Sequence, residues 1–282
     1  MQGDGGSEPI SVVIRSRNSE VTLDRVISGL GLEAGDQLLV VDDGSRDGTR
    51  AIASRHNAEL IPYEGPFNFS RALNIGFGAS RCRFVLAISS HCIPARPGLL
   101  GRYREVIRRF DGRFGVACGS ATDLPTLAAA LSGPAFEVTA ERILRDGGEL
   151  PGNQNSLYRR EDWERHPFDE RILTAEDLEW RVWAVRNGVR VLSCPDCAVH
   201  YRNRGSVRHM LRRGYHDARV VTHLLGRSPM RWRRLAGIWV GATRKFVSGE
   251  FDRVDLFRNW SQSLGTFVGS RVRQPDVYRA WE

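Results

Sequence analysis

Lysine is almost missing from this chain. Lys245 is the only one among 41 basic residues in a sequence of 282. The abundance of arginine therefore carries little meaning in itself, and the placement of charge matters more than its amount. Long apolar runs are missing too. No stretch approaches the ~18 apolar residues that cross a bilayer. The opening MQGDGGSEP has neither the basic nor the apolar part of a secretory signal. These absences argue against a membrane-spanning chain and lead us to expect a cytoplasmic one. Cysteines are few, odd in number and scattered, at 82, 92, 118, 194 and 197. A disulfide-stapled secreted fold is thereby excluded, and free thiols in a reducing compartment are expected. Cys194-Pro-Asp-Cys197 is a lone C-x-x-C with no second ligand pair, which predicts a turn after a strand and not a zinc or redox site. Gly29-x-Gly31 closes a helix where a dinucleotide fingerprint would open one.

What the chain has is an apolar core and an uneven charge. Hydrophobic residues make up 41%, enough for one sizeable α/β domain with a C-terminal extension. The net charge of +8 comes from the end of the chain, because residues 201–282 hold 17 Arg/Lys against 6 Asp/Glu. Such asymmetry points to an anionic partner: membrane headgroups, nucleic acid or substrate phosphates.

Leu38 to Thr49, LLVVDDGSRDGT, organises the rest. Four apolar residues predict a strand buried on both faces. Asp42 and Asp43 follow, then a Gly44-Ser45 turn and a helix over 49–56. Open α/β sheets present ligand-binding side chains at such strand ends. An ordinary βα loop, with Asp47 or Ser45 as helix cap, would look the same in isolation. Apolar runs predict further strands at 11–14, 59–61, 84–88 and 114–118, and helical spacing predicts helices over 22–30, 68–79, 97–110 and 160–166. Residues 1–8 are expected to be disordered. Three helices follow 206, over 206–225, 230–247 and about 251–268.

Several motifs in order carry a resemblance. Ser11-Val-Val-Ile-Arg-Ser-Arg-Asn18, VVDDGSRDGT, Phe67-Asn-Phe-Ser-Arg-Ala-Leu-Asn74, Thr174-Ala-Glu-Asp-Leu-Glu-Trp180 and Pro195 to His200 together resemble family-2 glycosyltransferases of the GT-A fold. The resemblance spans about residues 9 to 205, leaving 206–282 as a basic helical extension. It implies a single Rossmann-like, mostly parallel sheet flanked by helices. In pattern it is similar to bacterial rhamnosyltransferase-like enzymes.

The resemblance also nominates residues. Arg15, Asn18, Glu20, Asp42 and Asp43 would meet the nucleotide, with Asp42 accepting from the base. Arg71 and Asn74, which share a helix face, would lie near the nucleotide-sugar, and Asn153 and Asn155 in the sugar pocket. Asp177 would be the catalytic base beside Glu176. The residue-level alternative for that stretch is a capping box, Thr174 with Asp177 three positions on. The chain departs from the family where Asp-x-Asp usually holds a divalent cation, since Ser89-Ser90-His91 stands there. Either His91 and His200 would bind an Mn-type ion completed by the diphosphate, or arginines such as Arg71, Arg202 or Arg204 would replace it.

The function implied is an inverting glycosyltransferase, in which one base serves a single displacement. Its donor would be a nucleotide-diphosphate sugar and its acceptor a glycan or other hydroxyl compound. A glycosidase would need two flanking carboxylates and no nucleotide site. A sugar-nucleotidyltransferase should show a Gly-rich phosphate loop near its first strand, and none is present. An inactive GT-A protein binding membrane or nucleic acid through its basic tail is the remaining alternative. The aromatics of the tail are too few and too helical in spacing for a base-stacking platform, so no nucleic acid is expected. Trp232, Leu235, Ile238, Trp239 and Ala242 form one face, opposite Arg233, Arg234, Arg244 and Lys245. That helix would either pack on the core or lie peripherally on an anionic membrane.

Overall fold

The computed structural model describes residues 7–122, 128, 130–146, 150–172, 174–201, 206–226 and 231–271. Among these, nine strands form one sheet: β1 (Ile10–Ser16), β2 (Gln37–Asp42), β3 (Glu59–Pro62), β4 (Phe84–Ser89), β5 (Ile93–Pro94), β6 (Val116–Thr122), β7 (Phe136–Glu137), β8 (Asn155–Arg159) and β9 (Val191–His200). Between them run α1 (Leu23–Leu30), α2 (Thr49–Arg55), α3 (Phe69–Ala79), α4 (Leu99–Arg109), α5 (Ala140–Asp146), α6 (Arg160–Arg165) and α7 (Glu176–Arg186). Three helices follow: α8 (Val207–Leu225), α9 (Trp232–Val247) and α10 (Arg253–Gly269).

The strand order is β3-β2-β1-β4-β8-β6-β9-β5, with β7 pairing on β9. The first half is parallel, as expected: Ser16 pairs with Asp42, and Arg15 lies between Val41 and Ser89. The second half is mixed, because β8 runs antiparallel to both β4 and β6. The reversal has a consequence for the site. It brings the start of β8, and Asn153 just before it, to the edge where β1, β2 and β4 end.

Strand periodicity places alternate side chains on opposite faces. Val12, Ile14, Val40 and Leu86 join α1 and α4 in one core layer. Val13, Leu39, Val41 and Val85 meet α3 and α7 in the other, where Phe77, Tyr158, Phe168 and Trp180 pack edge to face. Each such fully buried side chain contributes about 1.5–3 kcal/mol. The C-x-x-C segment is part of β9 and not a turn after it, and β6 slips its register against β9 between Gly119 and Ala121.

The middle one of the last three helices was expected either to pack on the core or to lie on a membrane. Helix α8 packs on the α/β core through Val221, Leu224 and Leu225 and lies along α10, and the two backbones touch. A Cβ on Gly265 would sit 2.0 Å from the Leu211 carbonyl oxygen, and one on Gly269 2.2 Å from that of Tyr215. Gly214 faces Gln262 in the same way, at 2.1 Å. Helix α9 packs on α10 through Leu235 and Phe267, with Trp239 Nε1 donating to Ser263 Oγ at 2.9 Å. Among the described residues no helix is long and apolar enough to cross a membrane.

Candidate active site

A cavity of about 1170 Å³ opens at the edge where β1 and β4 end. Arg15, Asn18, Ser19 and Thr22 line it from the β1 side, Ser89 and His91 from β4, and Gly152 and Asn153 from the approach to β8. Glu176 and Asp177 enter from α7, His200 and Tyr201 from β9. The remaining wall is α8, through Arg208, His209, Arg212, Arg213, His216 and Asp217.

At one end, two loops lock together. The Asn18 amide donates to Ser45 Oγ at 2.9 Å, and Arg46 N donates to Asn18 Oδ1 at 2.9 Å. Glu20 Oε2 accepts from Gly48 N at 2.8 Å, so Glu20 fastens a loop and does not face the cavity. Asp43 pairs with Arg17 at 3.0 Å. Asp42 is buried, its Oδ2 accepting from Arg50 Nε at 2.8 Å and Ser45 N at 3.2 Å. Its Oδ1 is buried with no partner, an orphan acceptor of the kind that native proteins seldom leave unexplained. Neither acid lines the cavity itself.

At the other end, the Glu-Asp pair is presented by strained backbone. Ala175, the N-cap of α7, has φ 60° and ψ 30°, a left-handed conformation unusual for alanine. There is no capping box: Thr174 Oγ1 donates to Asp217 Oδ1 on α8 instead. Asp177 pairs with Arg181 one turn on, Oδ2 to Nη2 at 2.7 Å. It also lies so close to Gly152 that a Cβ there would meet Oδ2 at 3.2 Å. Burial works against the Arg181 charge, yet Asp177 keeps the guanidinium above its ordinary pKa. Glu176 accepts from Asn153 Nδ2 at 3.2 Å and stands 3.6 Å from Arg15 Nη1. Burial, and then the charge of Asp177, push the Glu176 carboxyl up; Arg15 opposes them.

The middle of the cavity is cationic. Arg15 Nη2 donates to Ser89 Oγ at 3.4 Å and to the Asn153 carbonyl at 3.3 Å. Its guanidinium lies 5.2 Å from the Phe69 ring centroid. Burial lowers its pKa, with Glu176 opposing. Burial also lowers that of His91, helped by the positive charges of Arg15 and Arg213. The His91 ring is 6.1 Å from that of Tyr201. Asp217, which holds Arg213 at 3.6 Å, has its carboxyl raised by burial.

Other nominated residues are committed elsewhere. Asn74 accepts from Trp163 Nε1 and the Phe168 amide, and donates to the Phe168 carbonyl and Glu170. It ties α3 to the loop after α6, with its hydrogen-bonding capacity spent. Arg71 is exposed over the Tyr63 ring. Asn155 is wholly buried, bonded to Cys197, Ser120 and Tyr103. Ser90 bonds Ser19 beneath the surface. Arg202 and Arg204 lie outside the described residues.

His91 and His200 do reach the same cavity, but the donor set does not fit a resident divalent cation. Among the described residues no group of three or more His, Cys, Asp or Glu could hold one. Ser89 Oγ is engaged by a guanidinium, and the charges that lower the pKa of His91 would also repel a dication.

Sequence reading missed the α8 wall. A signal was present: Arg208-Arg212-His216 and His209-Arg213-Asp217 repeat at intervals of four, which puts two adjacent polar stripes on one helix.

The sheet, its flanking helices and a ligand-sized cavity at the strand ends define the class as a GT-A α/β fold. Residues 11–122 match the family model for glycosyl transferase family 2. No curated protein matches the chain. Among solved structures, it is similar to glucosyl-3-phosphoglycerate synthase from Mycobacterium tuberculosis in complex with Mn2+, UDP and glucosyl-3-phosphoglycerate. That match has a TM-score of 0.60 at 18% identity, over 78% of this chain and 80% of that one. The same enzyme with Mg2+ and UDP gives 0.59 at 20% identity, with the same coverage. A crystal structure described as a mycobacterial protein gives 0.60 at 20%, over 78% and 75%. At these identities the likeness is one of fold.

Proposed function

We propose that the chain is an inverting glycosyltransferase. It would move a sugar from a nucleoside-diphosphate donor to a hydroxyl acceptor, in surface polysaccharide or glycoconjugate synthesis. The observation that carries the reading is Asp177. A carboxylate on a strained helix start, held by Arg181, lines the same cavity as Asn18, Arg15 and Asn153. The nucleotide lies at the Asn18–Asp42 end, where buried Asp42 supports the base-binding loop through Arg50 and Ser45, and the sugar lies against Asn153. Asp177 takes the acceptor's proton as its oxygen attacks the anomeric carbon. Asn153 holds Glu176, the other member of the pair, beside Asp177. A nucleoside diphosphate leaves from the opposite face.

The first experiment is a thermal-shift screen of nucleotide-sugars, UDP-glucose among them. A ligand at 100 times its dissociation constant adds about 2.7 kcal/mol. Failure of every nucleoside diphosphate and nucleotide-sugar to raise Tm would remove the reading.

A peripheral membrane contact is a second proposal, carried by a different surface. Trp232, Val240 and Val247 on α9, with Phe257 and Val268 on α10, are exposed apolar side chains. Arg233, Arg244 and Lys245 accompany them on α9. Cosedimentation with anionic vesicles at low salt, fading as salt screens the charges, is the expected result. Absence of binding at low salt would limit these helices to holding the cavity wall.

A further inference from the structure

The transferase reading, on which this inference rests, demands that charge developing on the leaving diphosphate be met. His91 follows β4 in the cavity, and two arginines from different walls line the cavity with it. One is Arg15, from the end of β1. Its side chain is 10% exposed, and its Nε and Nη1 are buried without hydrogen-bond partners. A buried cation with orphan donors at a cavity wall is suited to an anion that supplies acceptors. The other is Arg213 on α8, half exposed and aimed by Asp217 at 3.6 Å. Asp217 is in turn fastened to Thr174, so the arginine is tied to the segment that presents the catalytic pair. Arg208 and Arg212 line the same wall.

The position where a dication's carboxylates would stand thus offers hydroxyls and imidazole flanked by positive charge. We propose that Arg15 and Arg213 clamp the donor diphosphate from opposite walls, taking the place of a divalent cation, so that binding and transfer need no metal. In the step itself, the bond from the anomeric carbon to the diphosphate oxygen breaks and that oxygen keeps the electron pair. The acceptor oxygen forms the new bond, and its proton goes to Asp177. The two guanidiniums receive the charge that appears on the phosphates. Arginine fits this task because its planar fork meets two phosphate oxygens at once.

Calorimetry with a panel of nucleoside diphosphates and the matching monophosphates tests the clamp, in excess chelator and again with Mn2+. The expected result is diphosphate binding of equal affinity in both conditions, tighter than that of the monophosphate. Arg213→Gln should weaken the diphosphate about tenfold or more and shrink its advantage over the monophosphate. Arg213 is half exposed, so this variant should fold even if substitution of buried Arg15 does not. Arg15→Lys should shrink the advantage in the same sense, since it keeps one charge but loses the fork. Diphosphate binding that appears only with Mn2+ would overturn the clamp and leave the transferase reading standing. Absence of nucleoside-diphosphate binding in both conditions would remove that reading and the clamp together.

Discussion

Replacing Asp177 by Asn separates the proposed chemical role of this residue from its structural one. The amide keeps the volume against Gly152, where a Cβ would already be only 3.2 Å from the carboxylate. It cannot take a proton, so turnover should fall by about 10²–10⁴, the usual contribution of a positioned general base. Stability should fall as well, by a separate route. The Arg181 side chain is 4% exposed and pairs with Asp177 at 2.7 Å. A neutral acceptor, the Pro151 carbonyl at 2.9 Å, remains. The loss is therefore one charge-assisted hydrogen bond, about 1.5–3 kcal/mol, within the margin of about 5–15 kcal/mol typical of a domain. Donor-dependent transfer and urea unfolding should be measured on the same preparation, with nucleotide binding by calorimetry alongside. A folded variant that binds donor and has lost turnover is the expected result. Full turnover would refute the base assignment. A turnover loss that only tracks the unfolded fraction would make Asp177 a partner for Arg181 and nothing more.

Three further perturbations are expected to have distinct outcomes. Ala175→Gly should raise stability by about 1 kcal/mol, because glycine accepts the left-handed φ of 60° that alanine resists; an unchanged or lower midpoint in urea would show that Ala175 carries no strain. Asp42→Ala should weaken nucleotide binding by calorimetry, and an unchanged affinity would take Asp42 out of the site; some stability should also go with the Arg50 pair at 2.8 Å. Gly265→Ala should cost about 1–3 kcal/mol as an overpacked contact and reduce donor affinity through displacement of α8, whereas a neutral result on both would mean that α8 is not held by α10.

Strands were legible in the sequence where the apolar run is unbroken. Leu38–Val41 and Phe84–Ile88 are buried on both faces, and β2 and β4 match them to within a residue at most points. Short or polar strands were not legible. Ile93–Pro94 and Phe136–Glu137 have two residues each and exist only because β9 offers them a partner. The Asn-rich stretch before Tyr158 is a central strand because Asn155 finds three buried partners, which no periodicity foretells. In the site, the Glu-Asp pair, Arg15, Asn153 and His91 were nominated and share the cavity. Asn74 had the right neighbours in sequence but serves the fold. The α8 wall escaped notice because its residues, distant in sequence from the motifs, reach the cavity only through tertiary packing.

The contact between α8 and α10 gives the cavity an unusual mechanical quality. Ordinary helix pairs are separated by side chains that can change rotamer and absorb a displacement. Here the backbones meet at Gly214, Gly265 and Gly269, with no such cushion. An added methyl group at Gly265 would begin 2.0 Å from a carbonyl oxygen, where about 3.3 Å is the normal approach of carbon to oxygen. The helix would have to retreat by about 1 Å, and misplacement on that scale can cost about 10²-fold in rate. The position of Arg213 over the cavity is thus set by hydrogen atoms on the far side of its own helix. Changes to the last described helix, far along the chain from Glu176 and Asp177, become changes to the dimensions of the cavity.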